Sequence, residues 1–274
     1  MSYAAQTQPV VVGIDGSRAA QAAALWAIDE AIDRDAPLRL VYATGKPRRS
    51  AAPYDAHDIA IEHGETALRA ASSAATATGK PVKTETDILW GAASEALIAE
   101  SGAASLVCVG SVGIGWLARR VLGSTAVAVC RQARCPVAVV RYPVEDQPTE
   151  LPRWIVVGVD ERRGNDQLVA HAIDEAHLRH AGVLAVSTWS SQFSGIPYDE
   201  LDRRVETWRQ DHPDLHIRPR ATGGGLPEFL VATTDEAIEL VVMCPADADD
   251  LPHIIGPYHR QLLPSGKRSV LIVH

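Results

Sequence analysis

The sequence predicts an α/β protein of two tandem domains, each a five-stranded parallel sheet doubly wound with helices. Three observations carry that expectation. A hexapeptide is written twice: Val10-Val-Val-Gly-Ile-Asp15 returns as Ile155-Val-Val-Gly-Val-Asp160. Apolar runs alternate with stretches of helical periodicity along both halves. The runs themselves, such as Val10 to Ile14 and Leu106 to Val109, are apolar at every position rather than at alternate ones. Continuous apolarity marks strands covered by helices on both faces, and right-handed crossovers then generate the doubly wound form.

The elements follow in order. After the first strand, Arg18 to Asp33 reads as a helix with Leu25, Ile28 and Ile32 on one face, running into a strand from Leu38 to Thr44. A helix over about Asp58 to Thr78, closed by Gly79, leads to a strand over Val82 to Ile88. Ala92 to Ser101, closed by Gly102, is the next helix, and Ser105 to Gly110 the fourth strand. A glycine-rich loop, a helix from about Ser124 and a strand over Pro136 to Arg141 complete the half.

The second half matches element for element. Its helices are expected at Asp166 to His180 and Tyr198 to Gln210, with a further one after the turn Gly223 to Gly225 whose first turn holds Pro227. Its strands are expected at Val183 to Trp189, Leu215 to Arg220, Glu239 to Cys244 and Ser269 to Val273. Between the halves, Tyr142-Pro-Val-Glu-Asp-Gln-Pro-Thr-Glu-Leu-Pro152 has three prolines, three acids and no periodicity, which reads as a linker. The domains are accordingly expected at 1–145 and 146–274.

Composition excludes several classes. The 274 residues carry 26 Lys+Arg against 34 Asp+Glu, a net charge of −8, with 46% hydrophobic residues, so each half can bury a core. No window approaches the ~18 uninterrupted apolar residues of a membrane span, and the start MSYAAQTQPVVVGIDGS lacks the basic and apolar regions of a signal peptide. Cysteines 108, 130, 135 and 244 form no CxxC, and Cys108 and Cys244 lie in apolar runs. A cytoplasmic protein without membrane contact is expected. Nucleic acid is not an expected partner, because phosphate neutralisation needs clustered positive charge. The short stretch of Lys46, Arg48 and Arg49 reads as a solvated loop.

In an open parallel sheet, ligands bind beyond the carboxyl ends of the strands where the winding reverses. Two loops meet there. One follows the first strand and carries Gly13, Asp15, Gly16 and Ser17; the other follows the fourth and contains Gly110, Gly113, Gly115 and Gly123, then Ser124 and Thr125. Glycines let backbone N–H groups approach an anion, and a helix starting at Ser124 adds its N-terminal amides and hydroxyls. Together they form a polyphosphate cradle. Asp15 serves either the ligand or a helix cap; Arg119 and Arg120 either neutralise phosphate or face solvent; Trp116 either shields the ligand or anchors the loop. There is no GxxxxGK[ST], and neither loop gives GxGxxG between first strand and first helix, so the Walker and NAD-type patterns are absent.

The pattern present is G-x2-G-x9-G-[ST], from Gly110 through Gly113 to Gly123 and Ser124. With VVGIDGS near the start and CPVAVV at Cys135 to Val140, it resembles the universal stress protein family, and the tandem arrangement resembles the two-domain mycobacterial members. The resemblance implies a Rossmann-like, adenine nucleotide alpha hydrolase-like fold that binds ATP. It places Asp15 near adenine and ribose, Ala43 against the base, Gly110 and Gly113 at ribose and phosphate, and Gly123, Ser124 and Thr125 on the phosphates. Homodimers are implied as well, with Mg2+ or Mn2+ held through the nucleotide.

The second half departs from this pattern. Cys244 and Asp247 stand where Gly110 and Gly113 do, Pro257 replaces Ser124, and Glu161-Arg162 replaces the Gly-Ser after the strand-one aspartate. Carboxylates at 247, 249 and 250 would oppose a polyphosphate, and proline removes a donor. The second domain is expected to be degenerate and not to bind ATP. Asp247, Asp249, Asp250 and His253 read as an acidic loop, and His171, His177 and His180 as a polar helix face, so no metal site is expected.

Function follows in rank. The first expectation is an ATP-binding regulator in a stress or dormancy response. The alternatives are a slow ATP hydrolase or phosphotransferase, and a structural interaction module with an incidental or empty site. Parts for hydrolysis are not evident: no histidine lies between His63 and His171 to activate Ser111 or Ser124.

Overall fold

The computed structural model describes residues 7–45, 53–111, 122–141, 152–188, 196–233, 236–255 and 268–274. The loop positions Gly113, Gly115, Trp116, Arg119 and Arg120, the stretch from Lys46 to Arg49, Pro257 and most of the linker lie outside them. The chain divides into two compact units, Met1–Tyr142 with His274, and Pro143–Val273.

The first unit runs β1 (Val10–Ile14), α1 (Arg18–Asp33), β2 (Leu38–Ala43), α2 (Pro53–Ala77), β3 (Thr84–Leu89), α3 (Ala93–Glu100), β4 (Leu106–Gly110), α4 (Ser124–Gln132) and β5 (Val137–Val140). The strands lie in the order β3-β2-β1-β4-β5, with every pairing parallel. Val10 pairs with Leu38 on one side and Leu106 on the other, and Val10, Val11, Val12, Leu106 and Val107 are fully buried. Winding reverses between β1 and β4, which opens a crevice at their carboxyl ends.

Helix α1 has the limits its periodicity predicts, but it buries a different face. Ala19, Ala20, Ala23, Ala24, Ala27 and Ala31 pack inward with Ile28. Leu25 and Ile32 are 38% and 39% exposed. An alanine stripe lets the helix axis approach the sheet more closely than leucine would, and that closeness governs the site. Helix α2 begins at Pro53, ahead of the expected start; proline suits a first helical position, where its missing N–H costs nothing.

The second unit runs β6 (Arg153–Gly158), α5 (Asn165–Arg179), β7 (Gly182–Thr188), α6 (Tyr198–Asp211), β8 (Ile217–Thr222), α7 (Leu226–Ala232), β9 (Ala237–Met243), a 3-10 helix (Pro245–Asp250), α8 (Leu251–Ile255) and β10 (Ser269–Ile272). Its order, β8-β7-β6-β9-β10, repeats that of the first unit, again all parallel. The stretch read as an acidic loop is thus largely helical. Leu251, Ile254 and Ile255 anchor it in the core at i, i+3 and i+4, a pattern too short to register as periodicity.

His180 is not on the α5 face but caps that helix in a left-handed conformation, φ 51°. His177 instead lies 3.2 Å from Asp214, and its ring is tilted against that of His212 with centroids 5.4 Å apart. Among the described residues no helix is long and apolar enough to cross a membrane.

Candidate functional site

Every strand that frames the first unit's crevice delivers a residue at or just beyond its carboxyl end: Asp15 after β1, and Ala43, Leu89 and Gly110 as the last residues of β2, β3 and β4. They border a cavity of about 180 Å³ that is also lined by Gly13, Ile14, Ser17, Ala20, Val41, Ala93, Ala96, Leu97, Val109, Gly123, Ser124, Thr125 and Ala126. Gly13, Asp15, Ser17, Ala43, Gly110, Gly123, Ser124 and Thr125, all expected from the sequence, meet here, whereas Gly113 and Gly115 are outside the described residues and Gly16 shapes the turn without lining the cavity. Those that sequence reasoning missed are mostly apolar. Leu89 lies one residue beyond the expected strand end at Ile88, and Ala93, Ala96 and Leu97 share one face of the helix that follows.

Polar groups are few, and each has a definable state. The turn after β1 needs Gly16 at φ 82°. Asp15 accepts the Ser17 N–H at 2.9 Å through Oδ1, and Ser17 caps α1 by accepting the Ala20 N–H at 3.1 Å. The cap is therefore Ser17, and Asp15 braces the turn with one carboxylate oxygen. Capping uses the acceptor side of the Ser17 hydroxyl, leaving its proton to donate.

Gly110 lines the cavity and also meets a packing requirement. A Cβ there would stand 2.6 Å from the carbonyl carbon of Ala19, so glycine is required for α1 to lie on β4. The Gly123 N–H is taken by Ser111 O at 3.0 Å, a bond that clasps residues 111 and 123 together.

Beyond that clasp α4 begins. Its first backbone bond of the i to i−4 kind runs from Val127 N to Gly123 O at 3.1 Å. The N–H groups of Ser124, Thr125 and Ala126 precede it and have no intrahelical acceptor, while their residues line the cavity. A helix N-terminus so placed favours an anion through oriented donors and dipole together. Asp15 is the one ionisable side chain in the described lining.

The corresponding place in the second unit is built differently. Asp160 accepts the Arg162 N–H at 2.8 Å, the counterpart of the Asp15–Ser17 bond. Its second oxygen, however, accepts from Arg162 Nε at 2.6 Å, and the terminal guanidinium nitrogens reach Asp247 at 2.8 and 3.0 Å. Asp247 therefore faces an arginine of its own chain. The hydrogen bonds and charge of Asp247, with the hydrogen bond of Asp160, hold the Arg162 pKa above its ordinary value, and burial with Asp247 pushes the Cys244 thiol up. Among the described residues no cluster of three His, Cys, Asp or Glu side chains is arranged to hold a metal ion.

Fold and site define a tandem, doubly wound open α/β protein with a crevice at the strand reversal of its first unit. The universal stress protein family model matches residues 6–141. Universal stress protein Rv2624c of Mycobacterium tuberculosis is 43% identical over 264 residues, covering 96% of this chain and 95% of that one. Universal stress protein Rv2028c of the same organism is 34% identical over 281 residues, covering 100% and 98%. The crystal structure of a universal stress protein from Archaeoglobus fulgidus superposes over 98% of this chain and 96% of its own with a TM-score of 0.74, at 13% identity. That likeness is one of fold. The chain belongs to the universal stress protein family.

Proposed function

We propose that the first unit binds ATP and that the chain acts as a nucleotide-dependent regulator in a stress or dormancy response. The observation that carries this reading is the α4 N-terminus, whose Ser124, Thr125 and Ala126 amides open onto a cavity otherwise walled by small and apolar side chains. Apolar walls suit a base, and amides without an intrahelical acceptor suit phosphates. In this reading the base lies against Ala43, Leu89 and Leu97, Asp15 reaches the ribose, and the phosphates sit at α4. Residues 1–145 form the ATP-binding domain, with Gly113 in its phosphate loop, and 146–274 a degenerate one.

The donor set fits a divalent ion carried by the nucleotide. One carboxylate, Asp15, and the hydroxyls of Ser124 and Thr125 are oxygen donors of the kind Mg2+ or Mn2+ takes. When bound with ATP, the ion neutralises phosphate charge.

None of the four cysteines is in a disulfide, which fits a reducing cytoplasm. The family resemblance supports a homodimer, which light scattering checks.

Calorimetry with ATP and Mg2+ tests the reading. Saturable binding is expected, and ATP at 100 times its dissociation constant stabilises the folded chain by about 2.7 kcal/mol. Absence of binding at any magnesium concentration overturns it. Product analysis over hours separates a regulator from a slow hydrolase.

A further inference from the structure

We infer that Arg162 is a built-in ligand of the second unit: its guanidinium holds together the two loops that frame the crevice position there, in place of a small molecule. The inference does not rest on the nucleotide reading of the first unit.

The geometry is a closed relay. Arg162 follows β6, Asp247 lies in the 3-10 helix after β9, and β6 and β9 are neighbours in the sheet. One face of the guanidinium is fixed by Asp160 through Nε at 2.6 Å. The other forks onto both oxygens of Asp247 at 2.8 and 3.0 Å. Asp247 is in turn oriented by its own backbone, N–H to Cys244 O at 3.0 Å, and by the Cys244 thiol, which donates to Oδ2 at 3.0 Å. Bidentate pairing to a planar fork is stronger and more directional than a single ion pair. Because Asp160 also holds the Arg162 backbone N–H at 2.8 Å, the side chain is tethered at both ends of its reach.

The surrounding backbone has been rebuilt to match. Counting from the two aspartates, Gly164 stands where Ala19 does; by strand register, Val10 with Leu106 and Ile155 with Leu240, Cys244 stands where Gly110 does. In the first unit the strand end must be glycine because the helix start crowds it. In the second the glycine has moved to the helix start, with φ 87° at Gly164, and α5 begins at Asn165, two positions later than α1 by the same count. The strand end is thereby free to carry a cysteine side chain. A decayed site would show lost contacts; this one shows substituted ones.

The test is hydrogen exchange on the full-length chain, with and without ATP and Mg2+. Arg162→Ala is expected to raise exchange in segments 159–164 and 245–251 by about tenfold. Arg162→Lys, which keeps the charge and loses the fork, is expected to fall between it and the unaltered chain. Asp247→Asn, which keeps the shape and loses the charge, is expected to raise exchange in the same two segments and serves where Arg162→Ala fails to fold. Exchange within twofold of the unaltered chain in both variants overturns the proposal. So does protection of 159–164 and 245–251 by ATP, since a clamp already closed leaves nothing for the nucleotide to order. Protection at 15–17 and 123–126 reports the first unit separately, so either reading can fail alone.

Discussion

The backbone nitrogen of Ala20 lies 2.8 Å from where a Cβ on Gly110 would stand, closer than real Cβ atoms come to a neighbour. Helix α1 therefore rests on the end of β4 with no room for a methyl group. Gly110→Ala is expected to destabilise the fold by about 1–3 kcal/mol through overpacking, because the obstruction is backbone and cannot rotate away. Urea unfolding measures it. A neutral substitution would show that α1 sits farther from the strand.

Ser17 ties the turn after β1 to the start of α1. Ser17→Ala removes the acceptor for the Ala20 N–H and is expected to cost about 1 kcal/mol, while Ser17→Asn retains most of that stability. Equal losses for the two variants would mean that the cap contributes little.

Thr125 separates helix stability from ligand binding. An aspartate in the first turn of α4 favours the helix dipole by about 0.3–1 kcal/mol. The same charge opposes phosphates at the amides. Thr125→Asp is expected to unfold at the same or a higher temperature and to bind ATP at least about tenfold more weakly. Unchanged affinity would place the phosphates elsewhere.

Asp247 should be silent toward ATP. Its carboxylate is engaged by Arg162 in the second unit, so Asp247→Ala is expected to leave calorimetric affinity for ATP unchanged. A large change would contradict the asymmetry of the two units.

Burial pushes the Cys130 thiol to about 12, against 9.0 for an ordinary cysteine. Between those values the unfolded chain releases the proton and the folded chain keeps it. More protons are then bound in the folded state, so stability falls as pH rises above 9, by about 1.4 kcal/mol per pH unit for this group. Comparison with Cys130→Ala isolates the slope, which should be shallower in the variant. At pH 8 native Cys130 and Cys135, the latter pushed to about 11, should resist alkylation that denatured chain undergoes. Rapid native labelling of either would contradict their burial.

Strand positions and the crevice were legible because their signals are local. Continuous apolar runs mark β1 and β4, and the periodicity places α1 at its observed limits, Arg18 and Asp33, although the cap is Ser17 and not Asp15. The face that α1 buries was not legible, since alanines carry little hydrophobic signal beside Leu25 and Ile32 and matter here for size alone. Nor was the role of Gly110, which depends on a helix 90 positions earlier in sequence lying across the strand end. Asp247 read as a charge opposed to phosphate because its partner stands 85 residues away, a separation no spacing rule covers.

The central claim is that one of two homologous crevices is a nucleotide site. Titrating the purified full-length chain, stripped of nucleotide, with ATP and Mg2+ in a calorimeter and counting sites measures it most directly. A single equivalent per polypeptide is the outcome expected; two equivalents, or none, would contradict it.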